Sequence, residues 1–262
     1  ASYEILVVDD QSPDGTGEAV QAFARANPHV RLITKPRKEG IGAALRVKIS
    51  DAADAANVND TSNSNFEIKG SLTLSSPNGA ETWIVGAAQN IAWAQTGTLG
   101  NCKLEYSTNS GTTYPNNIAN PVACNALTYA WTVPDSIATG VRVKLTNLTD
   151  GSVTDASNAD FTIRGSLTLT SPNGAETWSV GETRSITWTK TGTIATARLD
   201  YSTNGGVAYG NVITASTGAA GLSFLWTVPD NMSSNVKVRI RNVDDAAVED
   251  ESNASFKIAG SF

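Results

Sequence analysis

Apolar and polar residues alternate along several short stretches of the chain. NVKVRIRN at 235–242 places apolar side chains at every second position, and RSITWTK at 184–190 and ARLDYST at 197–203 follow the same rule. Successive side chains of a β-strand point to opposite faces, so this period of two predicts strands with one buried and one solvated face. SPNG at 171–174 and VPDN at 228–231 separate such stretches and predict turns.

The same order of strands and turns occurs twice. GSLTLSSPNGAETWIVG begins at Gly70 and returns as GSLTLTSPNGAETWSVG at Gly165, 95 residues later. We therefore predict two copies of one domain, residues 70–164 and 165–259, with residues 260–262 as the start of a further copy. About seven short strands per copy, without a helical stretch, predict a mainly β chain of two tandem immunoglobulin-like (Ig-like) β-sandwiches.

Three tryptophans recur in each copy at the same spacing. Trp93 and Trp131 fall in alternating stretches, as do their counterparts Trp188 and Trp226. Burying such a side chain contributes about 2–3 kcal/mol from its apolar area alone. These four tryptophans are therefore predicted to anchor the two cores.

The third pair, Trp83 and Trp178, follows a turn in each copy. This position places the two rings near one end of the predicted sandwich. They are interpreted either as further core residues or as platforms on which a sugar ring stacks. The second interpretation makes Trp83 and Trp178 candidate glycan-binding residues.

The two cysteines of the chain, Cys102 and Cys124, both lie in the first copy. Their counterparts in the second copy are Ala197 and Ala219, so both sulfurs are present together or absent together. This pattern predicts a disulfide, and two free buried thiols are the alternative. A bond across a loop of this length would stabilise the fold by roughly 3 kcal/mol. Disulfides persist in oxidising compartments, which favours an extracellular or cell-surface location.

The repeated pattern SPNGAETWxVG…ITW…LxYSTNxG…WTVPD resembles the Ig-like modules of the Kre9/Knh1 cell-wall proteins of yeast and of the Ser/Thr-rich GPI-anchored protein family. The resemblance covers residues 70–259. It implies a non-catalytic extracellular β-sandwich with a structural, adhesive or wall-associated role, and it carries no catalytic residue. Cell-wall glycan, or neighbouring chains bound through strand edges, would be the partners.

The beginning of the chain has a different pattern. EILVVDD at 4–10 is a continuous apolar run of the kind found in buried parallel strands, and VRLITKP at 30–36 is a second one. TGEAVQAFARANP at 16–28 has helical periodicity between them, with Thr16 as a possible N-cap. A βαβ unit is therefore predicted for residues 1–45.

This first segment, YEILVVDDQSPDGT…VRLI…GIGAA, resembles part of a family 2 glycosyltransferase, especially of the dolichol-phosphate mannose synthase group. The resemblance implies that Asp9 and Asp10 contact a nucleotide. The family also uses a preceding loop and a downstream Asp-x-Asp, and the resemblance ends near Leu45. One loop offering Asp9, Asp10 and Asp14 cannot supply both a metal site and a base. These aspartates are therefore predicted to cap a turn and a helix, and the segment is predicted to be inactive.

Residues 46–69 repeat the end of a copy. RVKISDAADAANVNDTSNSNFEIKG at 46–70 matches RVKLTNLTDGSVTDASNADFTIRG at 142–165, with one additional loop residue. They are predicted to form the last two strands of a broken Ig-like repeat, whose remaining strands are missing. We hypothesise that strands 3–8 and 30–34 share one sheet with this hairpin and that helix 16–26 packs on it.

Charge and composition exclude several classes of function. The net charge is −6 and no segment concentrates Lys and Arg, which argues against nucleic-acid binding. No apolar run approaches the roughly 20 residues of a membrane span. The only histidine lies far from both cysteines, so neither a metal nor a cofactor is predicted.

The predicted function is that of a non-catalytic secreted or cell-surface protein of tandem Ig-like modules. The alternative is a nucleotide-sugar-dependent glycosyltransferase, or its inactive remnant, that carries the Ig-like modules as accessories.

Overall fold

A computed structural model describes residues 5–9, 16–34, 46–50, 54 and 56–260. Within this part of the chain the fold is mainly β, with two tandem Ig-like β-sandwiches preceded by a short α/β segment. The structure therefore has the predicted fold class.

The α/β segment consists of strand β1 (Ile5–Asp9), helix α1 (Thr16–Ala26) and strand β2 (Val30–Thr34). The two strands pair in parallel, with Ile5 opposite Val30. Glu18 lies in the first turn of α1 and Arg25 in the last, which complements the helix dipole at both ends. The predicted strand–helix–strand order is present.

Strands β3 (Lys48–Ser50) and β4 (Asn59–Thr61) form an antiparallel pair of their own. Within the described residues this pair and the β1–β2 pair are separate two-stranded sheets, so the hypothesis of one shared sheet is wrong. Phe23 of the helix is 60% exposed, which shows that its ring does not cover the hairpin. The two strands of the hairpin pair with each other as the equivalent strands of repeat 1 do. The neighbouring βαβ segment does not change this pairing.

Repeat 1 contains nine strands in two sheets. They are β5 (Ser71–Ser76), β6 (Thr82–Ile84), β7 (Ala88–Thr96), β8 (Asn101–Ser107), β9 (Asn116–Ala123), β10 (Thr128–Thr132), β11 (Ala138–Asn147), β12 (Thr154–Ala156) and β13 (Phe161–Arg164). One sheet has the order β10–β7–β5 and the other β6–β13–β11–β8–β9, with β12 paired to β11. The count exceeds the predicted seven because β6 and β12 are each only three residues long and carry little periodicity.

Repeat 2 has the same nine strands in the same order. They are β14 (Ser166–Ser171), β15 (Thr177–Ser179), β16 (Thr183–Thr191), β17 (Thr196–Ser202), β18 (Asn211–Gly218), β19 (Ser223–Thr227), β20 (Ser233–Asn242), β21 (Glu249–Glu251) and β22 (Phe256–Ala259). A short 3₁₀ turn at Cys124–Ala126 precedes β10, and an equivalent turn at Ala219–Gly221 precedes β19. The strict repetition follows from 95-residue copies that align without an insertion.

Each repeat encloses its own hydrophobic core. The core of repeat 1 draws on residues between 72 and 163, and that of repeat 2 on residues between 167 and 258. Trp93 and Trp188 lie inside, where the indole N–H of Trp93 donates to the carbonyl of Cys124 at 2.7 Å. Trp188 makes the equivalent bond to Ala219 at 3.0 Å. A buried indole N–H requires such a partner, so the tryptophan fixes the 3₁₀ turn against the core in both repeats.

Candidate functional site

The predicted nucleotide-binding residues fall at the edge of what the structure describes. Asp9 is the last residue of β1, and its side chain is outside the description. Asp10 lies outside the described residues altogether. The assignment of Asp9 and Asp10 to a nucleotide therefore stays a prediction.

The structure places Trp83 and Trp178 in the two cores. Their exposed fractions are 6% and 5%. The ring centroid of Trp83 lies 5.0 Å from that of Phe161 and 5.8 Å from that of Trp131. A stacked sugar needs one open ring face, and neither indole has one. The interpretation of Trp83 and Trp178 as glycan platforms is corrected accordingly, because the turn before each residue leads back into the sandwich.

The predicted disulfide is confirmed. Cys102 on β8 and Cys124 in the 3₁₀ turn are bonded, with their Cα atoms 5.2 Å apart. Their counterparts Ala197 and Ala219 are completely buried in repeat 2. The bond therefore links two core positions that the second repeat fills with methyl groups.

The two sandwiches are joined without a linker. β13 ends at Arg164 and β14 begins at Ser166, so Gly165 is the single residue between them. A Cβ atom on Gly165 would lie 2.6 Å from the carbonyl oxygen of Thr191, closer than real Cβ contacts come. Thr191 lies on β16, which pairs with β14, so this close approach within repeat 2 explains why glycine stands directly before β14.

Side chains from both repeats meet beside this glycine. Asp135, between β10 and β11, accepts a hydrogen bond from the backbone N–H of Thr193 at 3.0 Å and one from its hydroxyl at 2.6 Å. The hydroxyl bond from Thr193, followed by the backbone bond, lowers the pKa of Asp135 below its ordinary value of 3.8. Gly192 has a φ of +71°, and a Cβ atom there would meet Val85 at 3.0 Å and Ile137 at 3.3 Å. The loop of repeat 2 thus fits tightly against repeat 1.

A salt bridge closes the other side of the junction. The Arg164 Nε atom lies 2.8 Å from a carboxylate oxygen of Asp245, which belongs to the loop between β20 and β21. A cleft of about 380 Å³ lies along this contact, lined by both repeats. Because Arg164 and Asp245 are paired to each other across it, the cleft offers no free base or nucleophile from these two residues.

The same ion pair occurs one repeat earlier. Lys69 and Asp150 are the counterparts of Arg164 and Asp245, and the Lys69 Nζ atom lies 3.2 Å from the carboxylate of Asp150. Lys69 also donates to the hydroxyl of Ser152 at 2.8 Å. The boundary between the hairpin and repeat 1 therefore shares one ion-pair contact with the boundary between repeats 1 and 2.

The outer face of the larger sheet carries charged and aromatic residues in both repeats. Lys144 lies over the ring of Tyr114, with its Nζ atom 4.4 Å from the ring centroid. Arg239 lies over Tyr209 in the same way at 4.3 Å. All four side chains are half-buried, and a cation above an aromatic ring in such surroundings contributes on the order of 1 kcal/mol to stability.

These charged groups are paired within the face. The buried carboxylate of Asp200 lies 2.8 Å from Arg198 and 3.5 Å from Arg239. Burial raises the pKa of Tyr209 well above its usual range, and its hydrogen bond to Glu251 acts in the same direction. Tyr209 therefore does not titrate near neutral pH, and this face has the character of a structural ion network.

Within residues that the structure describes, no three His, Cys, Asp or Glu side chains come together in a way that would hold a metal ion. In the same residues, no helix has the length and apolar character that crossing a bilayer requires.

The junction residues were missed by the sequence analysis. One signal for them exists: a basic residue precedes the repeat boundary at Lys69 and at Arg164, and an aspartate follows 81 residues after each, at Asp150 and at Asp245. The contact of Asp135 with Thr193 has no such signal, because it depends on how two sandwiches are oriented.

Comparison with known proteins finds a family match for the beginning of the chain. Residues 1–54 match the family described as glycosyl transferase family 2. A dolichyl-phosphate beta-glucosyltransferase, ALG5C of Trichomonas vaginalis, is 28% identical over 104 residues, which is 36% of this chain. The chain spans only 30% of the length of that relative.

Solved structures with a similar arrangement are modular β proteins. The fibronectin(III)-like modules of Clostridium thermocellum CbhA are 19% identical, with 72% of this chain and 94% of that chain covered and a TM-score of 0.26. The four N-terminal Ig domains of Dscam1 isoform 6.9 are 10% identical, with 99% and 73% covered and a TM-score of 0.34. At these TM-scores the overlays add nothing to the fold already described.

Proposed function

We propose that the chain is a non-catalytic extracellular or cell-surface protein whose tandem Ig-like repeats form a stiff spacer. One observation carries the proposal: the repeats are joined by Gly165 alone, and cross-junction contacts at Asp135 and Arg164 hold both sides. A spacer must transmit its orientation from one module to the next, and this junction has the contacts to do so. The location is supported by the disulfide, since such bonds persist in oxidising compartments.

A distance measurement between the repeats tests the proposal. Thr128 and Ser223 are exposed, equivalent positions at the starts of β10 and β19. Both are replaced by cysteine, T128C and S223C, and carry spin labels; the native cysteines are disulfide-bonded and do not react. A stiff junction gives one narrow distance distribution between the two labels in double electron–electron resonance. A broad distribution would contradict the spacer function.

Adhesion and association with cell-wall glycan are the finer roles within this proposal. The two sandwiches would serve as the scaffold for either role. Neighbouring chains would pair through the edge strands of the sheets. A glycan array probed with the full chain tests the glycan partner. Retention of neutral wall polysaccharide supports it, and the absence of any retained glycan argues against it.

A glycosyltransferase is the second candidate, favoured by the family match of residues 1–54. GDP- or UDP-sugar is titrated with manganese while the melting temperature is followed. A stabilising shift in the parent chain that is lost in Asp10→Ala would support nucleotide-sugar binding, and Asp54→Ala serves as the matched control. No shift at millimolar nucleotide would leave the non-catalytic function in place.

A further inference from the structure

The two strands of the hairpin of residues 46–69 pair as their counterparts in a complete repeat do. Lys48 pairs with Thr61 and Ser50 with Asn59. The equivalent strands of repeat 1, β11 and β12, pair in the same register. β3 and β4 therefore reproduce the β11–β12 pair of a complete repeat, whereas residues 67–69, the counterparts of residues in β13, form no strand.

Side-chain hydrogen bonds of the hairpin are also those of a complete repeat. The Ser62 hydroxyl accepts the backbone N–H of Val47 at 3.1 Å, as Ser157 accepts that of Val143 at 3.0 Å. Arg46 donates to the Asn65 side chain at 2.7 Å, and in repeat 1 the corresponding arginine and aspartate also pair. These hydrogen bonds keep the hairpin in the conformation that its counterpart has inside a complete sandwich.

The apolar face of the hairpin is uncovered. The exposed fractions are 52% for Val47, 59% for Ile49, 41% for Phe66 and 66% for Ile68. Their counterparts in repeat 1 are at most 1% exposed: Val143, Leu145, Phe161 and Ile163. Four large apolar side chains on one small hairpin are thus left in solvent, and a lone two-stranded hairpin is marginally stable at best.

The complete repeats show what covers the equivalent face. The leading strand β5 brings Leu72 and Leu74 into the core, and the backbone N–H of Leu74 donates to the Asp155 carboxylate at 2.7 Å. The Ser157 hydroxyl then donates to the carbonyl of Pro77 at 2.8 Å. Leading strand and hairpin are therefore tied together at two polar points around an apolar contact.

Repeat 2 makes the same two bonds. Leu169 donates to Asp250 at 2.7 Å, and Ser252 donates to the carbonyl of Pro172 at 2.7 Å. The hairpin carries the matching groups at Asp60 and Ser62. Asp60 is exposed, and one of its carboxylate oxygens, Oδ1, accepts the N–H of its neighbour Thr61 at 2.9 Å.

We propose that the hairpin of residues 46–69 is a receptor for the leading strand of another Ig-like repeat, supplied by a second polypeptide. The occupant is an extended segment of the pattern Ser-Leu-Thr-Leu-x-Ser-Pro-Asn-Gly. Its second leucine donates its backbone N–H to Asp60, its proline carbonyl accepts the hydroxyl of Ser62, and its leucines cover the exposed face. The Lys69–Asp150 contact places the completed sandwich directly beside repeat 1.

A labelled peptide tests the proposal on the full chain. The peptide GSLTLTSPNGAETW, which has the sequence of residues 165–178, is titrated and followed by fluorescence anisotropy. Saturable binding is expected, together with slower amide exchange in residues 46–50 and 59–68. A peptide with both leucines replaced by serine should bind at least tenfold more weakly.

Two variants of the chain complete the test. Asp60→Ala removes the acceptor and Ile68→Ser removes part of the apolar face, and each should weaken peptide binding about tenfold or more. Unchanged amide exchange of residues 48–50 and 59–61 in the absence of peptide shows that both variants keep the hairpin. Equal binding of the serine peptide, or no binding of any peptide, would overturn the proposal.

Discussion

Asp135 of repeat 1 accepts two hydrogen bonds from Thr193 of repeat 2, one from the backbone N–H and one from the hydroxyl. Both groups of Thr193 are satisfied by a single carboxylate, which belongs to the other sandwich. The orientation of one repeat is therefore set by the position of one side chain of its neighbour, and the salt bridge of Arg164 with Asp245 adds a second point of contact. Two separated contacts restrict rotation about Gly165 more than either contact alone.

Asp135→Ala should loosen the junction without unfolding either repeat. The variant removes both bonds to Thr193, which at this exposed position contribute about 1 kcal/mol. The spin-label distance distribution between positions 128 and 223 should broaden. Asp230→Ala is the matched control, because Asp230 occupies the same position in repeat 2 and, within the described residues, makes no contact across a junction. Equal broadening in both variants would contradict the assignment.

The junction should respond to acid. The pKa of Asp135 is lowered in the folded chain by the hydrogen bonds of Thr193. Its contribution is therefore complete above the ordinary value of 3.8 and is lost as the pH falls through the lowered pKa. A titration of the Asp135 carboxyl by NMR should show a midpoint below 3.8, and the distance distribution should broaden in the same range. A midpoint at or above 3.8 would show that the bonds to Thr193 are absent in solution.

The disulfide should stabilise repeat 1 alone. Replacing Cys102 and Cys124 by alanine gives repeat 1 the residues that repeat 2 has at Ala197 and Ala219. The loss of a cross-link over 22 residues should lower the free energy of unfolding of repeat 1 by roughly 3 kcal/mol. Calorimetry should show the transition of repeat 1 at a lower temperature and that of repeat 2 unchanged. A uniform shift of both transitions would indicate that the repeats do not unfold as separate units.

Trp83→Ala should destabilise repeat 1 by about 3–5 kcal/mol, because the ring is buried against Trp131 and Phe161. Chemical denaturation followed by the remaining tryptophans measures the change. Trp178→Ala should have the same effect in repeat 2, where the ring contacts Trp226 and Phe256. Unchanged stability combined with a selective loss of glycan binding would restore the platform interpretation.

The two sandwiches were predictable because the sequence patterns that specify them lie within single strands or recur between the two repeats. A period of two along 235–242 places Val236, Val238 and Ile240 on one face, and the structure buries all three completely. The paired presence of Cys102 and Cys124 likewise required only two copies to compare. Such features depend on the sequence of one strand or on the alignment of one repeat with the other.

The placement of whole units was not predictable in the same way. The shared sheet was a wrong hypothesis because the pairing of Lys48 with Thr61 is specified within the hairpin itself, independently of the βαβ segment before it. The interpretation of Trp83 relied on its distance from a turn, and the turn leads inward. The bond from Thr193 to Asp135 joins residues 58 positions apart in different domains, and no periodicity marks either of them.

Residual dipolar couplings test the central claim, which is that the two sandwiches behave as one stiff unit. Backbone N–H couplings are measured for repeat 1 and repeat 2 in the full chain under weak alignment. A single alignment tensor should fit both repeats with the orientation seen across Gly165. Two tensors of clearly different magnitude would mean that the repeats move independently, and the spacer function would then be contradicted.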